Sequence, residues 1–293
     1  MLVIFSSAPF YSAYVHAPSG EVISSKIRNN PKYWPYFKDA VGAIDGSHIV
    51  AAPPAAARSR YRNRKGFLSQ NCLFACDFDL RFTFALTGWE GSASDARVYD
   101  DALSRGFRIP HGKYLLGDLG FPFRPTLLVP YRGVRYHLAE WGRAGVRYES
   151  SFKMFFGQLF PRPATKEELF NLRHASARCV IERIFGVLKR RFRILLLPLP
   201  FKMEAQARIP AALCALHNFM RIHDSEVDPD PDDPLPDENI DGTLDFMPGE
   251  AADNEGGIEA RTLRDGIATA MWHDYSQVLH LRGQGHEYDE DDM

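Results

Sequence analysis

The sequence predicts a mixed α/β fold followed by an acidic tail. Along residues 41–223 the elements occur in the order strand, two strands, helix, strand and then helices. Hydrophobic residues make up 45% and aromatic residues 13% of the 293-residue chain, which is enough for a packed core. Residues 1–223 carry 32 basic and 16 acidic side chains, whereas residues 224–293 carry 3 basic and 21 acidic ones. This charge distribution predicts a polyanion-binding domain with an acidic extension.

Several other classes of protein are disfavoured by the same sequence. No stretch approaches the roughly 18 consecutive apolar residues of a membrane helix. The apolar start of the chain lacks a basic region, so we expect no secretion signal. The four cysteines form no CxxC pair and no zinc-like spacing, which predicts reduced thiols in an intracellular protein. No phosphate-binding loop or dinucleotide fingerprint is present.

The predicted strands lie in the first half of the chain. Residues 41–50 form an apolar run typical of a buried strand, and residues 71–78 and 81–88 predict a hairpin. Residues 94–103 predict a helix that begins at Ser94 or Asp95. Residues 114–121 predict a further strand that ends in a glycine turn, whereas residues 124–163 show no clear pattern.

The second half is predicted to be helical. Thr165 and Glu168 form a capping box that opens a helix reaching about Arg193, with an interruption left open. Residues 203–223 predict another helix, in which Pro210 marks a start or a kink. The predicted divisions of the chain are a lead-in (1–30), a folded core (31–223), an acidic disordered linker (224–257), and a C-terminal helix with an acidic end (258–293).

Three acidic residues stand at positions suited to metal-assisted chemistry. Asp45 lies inside the first apolar strand, Asp118 ends a later strand, and Glu182 lies within an apolar stretch of helix. A carboxylate in apolar surroundings is costly unless a cation or hydrogen bonds compensate it. Hard oxygen ligands favour Mg²⁺ or Mn²⁺, and two such ions can clamp a phosphodiester. Asp95 is the alternative second ligand, although a role at the start of a helix also explains it. His48 is expected on the opposite strand face from Asp45.

Two groups of basic residues are candidate DNA contacts. In the first, the arginines alternate, so an extended backbone would point them to one side: Arg58, Arg60, Arg62 and Arg64, followed by Lys65. A solvated loop explains this first group equally well. The second group surrounds Glu182 on its helix and has almost no acidic partners in sequence: Arg178, Arg183, Lys189, Arg190, Arg191 and Arg193.

Six motifs give the chain a resemblance to a known family. They are AIDGSHI (43–49), YRNRKGFLSQN (61–71), GWEGSASDARV (88–98), LLGDLGF (115–121), PYRGVRYHL (130–138) and RHASARCVIERIFGVLKRRFRIL (173–195). Together they resemble the Harbinger-type transposases and their domesticated nuclease relatives, which belong to the DDE superfamily. The resemblance implies a ribonuclease-H-like core, with a mixed β-sheet of β-β-β-α-β order flanked by helices. It assigns the acidic triad to Asp45, Asp118 and Glu182.

The resemblance also implies a function. It predicts a nuclear, metal-dependent DNA endonuclease of transposase origin that uses two Mg²⁺ or Mn²⁺ ions to hydrolyse or transfer phosphodiester bonds. The alternative is a catalytically inactive domesticated transposase that acts as a DNA-binding or adaptor protein. The 44 residues before Asp45 show no helix-turn-helix pattern, which leaves open a truncation or targeting by a Myb-like DNA-binding partner. A homodimer is also left open, and no membrane association is expected.

Overall fold

A mixed five-stranded sheet, flanked by helices, forms the centre of the part of the chain that the structure describes. The structure is a computed structural model and describes residues 1–135, 162–224 and 255–286. The strands are β1 (Ala40–Val50), β2 (Ser69–Cys76), β3 (Phe82–Glu90), β4 (Tyr114–Leu116) and β5 (Leu127–Leu128). Their order across the sheet is β3-β2-β1-β4-β5. The first three strands pair antiparallel, and β4 and β5 continue the sheet in parallel with β1. The predicted mixed α/β fold is confirmed.

The β2–β3 hairpin is stabilised by its turn. Asp77 Oδ1 accepts the N–H groups of Asp79 and Arg81, each at 2.9 Å. Leu80 adopts a left-handed backbone conformation with φ of 57°, which closes the turn. All eight residues of β2 are buried, as expected for a strand that is covered on both faces. The predicted hairpin is therefore confirmed.

Eight α-helices lie within the described residues. They are α1 (Leu2–Phe5), α2 (Phe10–Tyr14), α3 (Ser25–Arg28), α4 (Arg58–Tyr61), α5 (Asp95–Ser104), α6 (Lys166–Arg191), α7 (Met203–His223) and α8 (Glu255–His286). None of them is both long and apolar enough to pass through a membrane. Pro210 lies inside α7 and does not end it.

The two faces of the sheet carry different helices. Val98, Tyr99 and Ala102 of α5 pack on one face in a cluster with Ile44 of β1. Helices α6 and α7 cover the other face, where Ile181 of α6 is one of the core residues. Side chains alternate between faces along a strand, so neighbouring residues of β1 contact different helices. This alternation therefore determines which acidic side chains can lie close together.

Helix α6 begins where the sequence predicts and continues without interruption for 26 residues. Thr165 Oγ1 accepts the N–H of Glu168 at 3.2 Å, and Glu168 Oε2 accepts the N–H of Ala164 at 2.8 Å. These bonds satisfy donors that a helix start otherwise leaves unpaired. The cap thus fixes the helix that carries Arg178 and Glu182.

Helix α8 packs against α6 and the β5 edge of the sheet. Arg264 lies 3.8 Å above the ring of Tyr131 and donates a hydrogen bond to the Pro130 carbonyl, while Met271 is fully buried. The helix begins at Glu255, three residues before the predicted start. The rest of the predicted linker and the acidic end fall on residues 225–254 and 287–293, outside the described residues.

Buried His217 on α7 makes stability sensitive to acid. Its Nδ1 accepts a hydrogen bond from Arg191 at 3.0 Å, because a guanidinium can only donate, and its Nε2–H donates to the Leu80 carbonyl at 2.9 Å. Burial lowers the pKa of His217 to about 4. The unfolded chain takes up this proton near pH 6.5, so the free energy of unfolding should fall between about pH 6.5 and 4, by roughly 1 kcal/mol per pH unit.

Urea unfolding of the wild type and His217→Gln at pH 7 and pH 5 measures this contribution. Gln does not titrate, so the stability difference between the two proteins should be smaller at pH 5 than at pH 7. An unchanged difference would show that His217 titrates normally in the folded state.

Candidate functional site

Asp45 lies in the middle of β1 and is mostly buried, with 16% of its side chain exposed. Its face of the strand is shared with Ala43 and Ile49, which pack in the core beneath α6 and α7. Asp45 Oδ1 accepts the N–H of Gly46 at 2.9 Å, and Oδ2 accepts a hydrogen bond from Arg178 Nη1 at 2.9 Å. The carboxylate is therefore fixed in orientation and directed towards α6.

Arg178 joins Asp45 to Glu182. Arg178 and Glu182 are one turn apart on α6, and Arg178 Nη2 donates to Glu182 Oε1 at 2.5 Å. The side chain of Arg178 is 9% exposed, whereas that of Glu182 is 55% exposed. Arg178, predicted as a DNA contact, thus lies between two predicted acidic residues. One guanidinium brings together carboxylates from β1 and α6.

Asp118 follows β4, the strand that pairs in parallel with β1. Ala43 is level with Leu116, and Asp118 stands two residues after Leu116, near enough to Asp45 for its negative charge to raise the pKa of Asp45. Asp118 Oδ1 accepts the N–H of Gly120 at 2.9 Å, which turns the chain out of the sheet. Neighbouring strands are ~4.8 Å apart, so Asp45 on β1 and Asp118 after β4 lie close to each other.

Asp95 approaches β1 from the opposite face. Gly46 faces α5, and a Cβ at this position would lie 2.1 Å from Asp95 Oδ1, so the carboxylate uses the space that glycine leaves. Asn71 Nδ2 donates to Asp95 Oδ1 and to the Ala93 carbonyl, both at 2.9 Å. Ser94 is the N-cap of α5, and Asp95 is its first residue. Asp95 is thus held by Asn71 across β1 from Arg178.

The electrostatics of Asp45 show a shortage of positive charge. Burial raises the pKa of Asp45 above its usual value, despite the nearby Arg178, which lowers it. The negative charges of Asp118 and Asp95 raise this pKa further. One buried arginine therefore does not compensate this group of carboxylates, and an additional cation would stabilise their charged forms.

The carboxylate oxygens of this site suit a divalent metal ion by their chemistry, although their present spacing does not form a metal site. Within residues 1–135, 162–224 and 255–286, no group of three His, Cys, Asp or Glu side chains is arranged to hold a metal. The guanidinium of Arg178 supplies the positive charge between Asp45 and Glu182. Carboxylate oxygens are nevertheless the ligands that Mg²⁺ and Mn²⁺ prefer, and Asp45 lacks full charge compensation. These residues fit such an ion by chemistry and charge.

The predicted alternating arrangement of the first basic group is wrong. Residues Arg58–Tyr61 form the short helix α4, continuing a 3₁₀ turn at Ala55–Ala57, so their side chains radiate instead of pointing one way. Arg60 forms an ion pair with Glu90 at 3.0 Å, and Arg62 donates to the Gly66 carbonyl at 2.5 Å. All five predicted residues are exposed: Arg58, Arg60, Arg62, Arg64 and Lys65.

The basic residues of α6 divide by exposure. Arg183 lies on α6 and Arg193 just beyond it, and both are exposed, whereas Lys189, Arg190 and Arg191 are half-buried. Arg191 binds His217 of α7, and its pKa is lowered by burial. The helix therefore presents a narrower basic surface than the sequence predicts.

Comparison with known families shows which family the chain belongs to. A family model described as DDE superfamily endonuclease matches residues 44–218, more than half of the sequence. The chain belongs to the DDE superfamily endonucleases. The match confirms the predicted superfamily and contains all of the candidate carboxylates, whereas helix α8 lies outside it.

Curated relatives of this DDE endonuclease agree with that assignment. The chain is 29% identical over 222 residues to the Bos taurus protein named "Putative nuclease HARBI1", which covers 74% of this chain and 56% of the relative. The Homo sapiens protein of the same name is 28% identical over 222 residues, with the same coverage. "Protein ALP1-like" of Arabidopsis thaliana is 29% identical over 212 residues, covering 65% of this chain and 45% of that protein. The chain thus spans about half the length of these relatives. No solved structure gives a significant match.

One polar residue near the carboxylates of the DDE endonuclease was not assigned a site role from sequence. This residue is Asn71, which holds Asp95. Asn71 lies in a β-rich run, where it resembles any strand residue. A signal did exist for Arg178, because it stands four residues before Glu182 on a helix.

Proposed function

We propose that this DDE endonuclease hydrolyses or transfers phosphodiester bonds of DNA, with Asp45, Asp118 and Glu182 as its acidic triad. The observation that carries the proposal is the bridge from Asp45 through Arg178 to Glu182. Further support comes from the parallel pairing of β1 and β4, because Asp118 follows two residues after Leu116, the partner of Ala43. Asp95 is the alternative second acid, but it approaches from the other face of β1.

The proposed core is ribonuclease-H-like. Support comes from the sheet order β3-β2-β1-β4-β5, with three antiparallel strands followed by one helix, α5, between β3 and the parallel strand β4. In such an arrangement the first strand is central. One site can then combine residues that are far apart in the sequence: those on β1, those after β4 and those on α6.

The proposed cofactor is a pair of Mg²⁺ or Mn²⁺ ions. Asp45, Asp118 and Glu182 would hold them, and when bound such ions activate an attacking water or hydroxyl and stabilise the leaving oxygen. The raised pKa of Asp45 supports a requirement for added positive charge at this position. Glu182, which is largely exposed and on α6, has room to change its rotamer.

The side chains of the protein have their own roles in this function. Arg178 holds Asp45 and Glu182 and shields their mutual repulsion. Exposed arginines of the β1–β2 connection and of α6 and the residues after it would bind phosphates and position the strand: Arg58, Arg62, Arg64, Arg183 and Arg193. We also propose a nuclear location, a Myb-like DNA-binding partner and a homodimer, each of which would suit a DNA substrate.

Metal removal tests the function directly. We expect the full chain to convert supercoiled plasmid DNA to the nicked form in the presence of Mg²⁺ or Mn²⁺. EDTA should reduce nicking to the level of protein-free DNA, because the triad alone cannot stabilise the developing charge. Restored nicking after excess Mn²⁺ is added would show that EDTA acts by removing metal. Equal nicking with and without EDTA would contradict the proposal.

A further inference from the structure

Arg178 is a buried cation whose charge is balanced by two of the candidate metal ligands. Its side chain is 9% exposed, and its two terminal nitrogens donate to different carboxylates, Nη1 to Asp45 Oδ2 and Nη2 to Glu182 Oε1. A buried guanidinium is stable only while anions pair with it, because the loss of its hydration is otherwise uncompensated. Arg178 can therefore leave one of these carboxylates only if another anion takes its place.

The guanidinium of Arg178 stands between the two carboxylates that a metal ion would have to join. Nη1 lies 2.9 Å from Asp45 Oδ2, whereas the oxygen ligands of Mg²⁺ lie ~2.0–2.1 Å from the ion. Among residues 1–135, 162–224 and 255–286, no three acidic, His or Cys side chains are arranged around such a position. An ion that binds Asp45 and Glu182 together must therefore take over oxygen atoms that Arg178 now holds.

The surroundings of Arg178 on α6 are buried on one side and exposed on the other. One helical turn before it, His174 is fully buried, and its Nε2–H donates to the Leu128 carbonyl at 2.9 Å. One turn after it, the side chain of Glu182 is 55% exposed, and the next residue, Arg183, is also exposed. A guanidinium that leaves the strand carboxylate therefore moves along Glu182, towards the surface of α6 where DNA would bind.

A phosphodiester of DNA is the anion that suits a displaced guanidinium. It carries one negative charge, and its oxygens can accept a bidentate pair of hydrogen bonds from an arginine. Such a charge-assisted pair replaces the bond that Arg178 gives up at Asp45. Water is a poorer replacement, because the side chain of Arg178 is mostly buried.

We propose that Arg178 exchanges partners when the site is loaded: it leaves Asp45 as divalent metal binds, and it pairs with a phosphodiester of the bound DNA. Metal and DNA then bind cooperatively, because DNA supplies the anion that lets Arg178 leave, and its departure frees the oxygens that the metal requires. This inference rests on the proposed function and adds to it that DNA promotes metal loading. Without DNA, Arg178 keeps the affinity of the site for metal low.

Metal binding, measured separately from cleavage, tests the exchange. The full chain is titrated with Mn²⁺, and the free ion is measured by electron paramagnetic resonance, with and without a short DNA duplex whose own uptake of Mn²⁺ is subtracted. The duplex should tighten Mn²⁺ binding to the wild type by about tenfold or more. Without DNA, Arg178→Met should bind Mn²⁺ about tenfold more tightly than the wild type, and the duplex should then add at most about threefold.

Three further variants make the measurement specific. Arg178→Lys serves if Arg178→Met folds poorly; its single ammonium cannot reproduce the fork of a guanidinium, so its Mn²⁺ affinity without DNA should lie between those of the wild type and Arg178→Met. Arg105→Met removes an exposed arginine of α5 and should bind Mn²⁺ as the wild type does. Asp45→Asn should lose most Mn²⁺ binding, which would show that the measured ion lies at the carboxylates.

Two results would overturn the exchange of Arg178. One is Mn²⁺ affinity without DNA that is no higher in either Arg178 variant than in the wild type. The other is an effect of the duplex that is as large in Arg178→Met as in the wild type. Plasmid nicking by the wild type with Mn²⁺ would limit such a failure to Arg178, whereas a wild type that does not nick would show that the proposed function itself is wrong.

Discussion

Replacing Asp45 by Asn should lower the rate of metal-dependent DNA cleavage by about a hundredfold or more. Asn keeps the size of the side chain and can still accept a hydrogen bond from Arg178, but it loses the negative charge that a divalent ion requires. Asp118→Asn and Glu182→Gln should have effects of the same order, because residues that hold one reacting group act as a unit. The initial rate of plasmid nicking at saturating Mn²⁺ measures each loss.

Two further variants make this result specific. Asp100→Asn alters an exposed residue of α5 that forms a surface ion pair with Arg124, so it should cleave at the wild-type rate. Asp95→Asn should lose less activity than Asp118→Asn, since Asp95 lies across β1 and is held by Asn71. The reverse order would make Asp95 the second acid of the triad. Undiminished cleavage by Asp45→Asn would remove Asp45 from the site.

Much of the fold could be predicted because its local signals are strong. The apolar run of β1, the acidic turn between β2 and β3, and the capping box of α6 each determine structure through neighbouring residues. Strand β5 was not predicted, since it has only two residues, Leu127 and Leu128. This strand forms only because it pairs in parallel with β4, and that pairing is a tertiary contact that the local sequence does not show.

The candidate site shows a similar limit. The sequence drew attention to the acidic residues because a carboxylate in an apolar segment is costly without compensation, and the family resemblance assigned them to a triad. It assigned Arg178 to DNA, because helix spacing reveals the partner four residues away but not Asp45, which is 133 residues away. The alternation of Arg58–Arg64 predicted an extended segment, but the preceding 3₁₀ turn continues into α4 and changes the period. A tertiary contact determines the partner of Arg178, and a neighbouring turn determines the conformation of the first basic group.

Replacing Arg178 by Met should lower the free energy of unfolding by about 3 kcal/mol in the absence of divalent metal. Met preserves much of the apolar stem but leaves the mostly buried carboxylate of Asp45 without its cation. The loss should be near the lower end for a broken buried pair, because Asp45 can take up a proton, and its pKa is already raised. Urea unfolding in EDTA at pH 7 measures the change.

A double-mutant cycle separates charge from packing in this prediction. Asp45→Asn removes the buried charge, so Arg178→Met should cost much less in that background, with a coupling of about 1–3 kcal/mol. Arg105→Met removes an exposed arginine from an ion pair with Asp101 of the same i,i+4 spacing and should cost at most about 1 kcal/mol. Equal costs of Arg178→Met in both backgrounds would mean that Arg178 stabilises α6 by packing. A large coupling would mean that this arginine holds the charge balance of the site until a metal ion takes over that role.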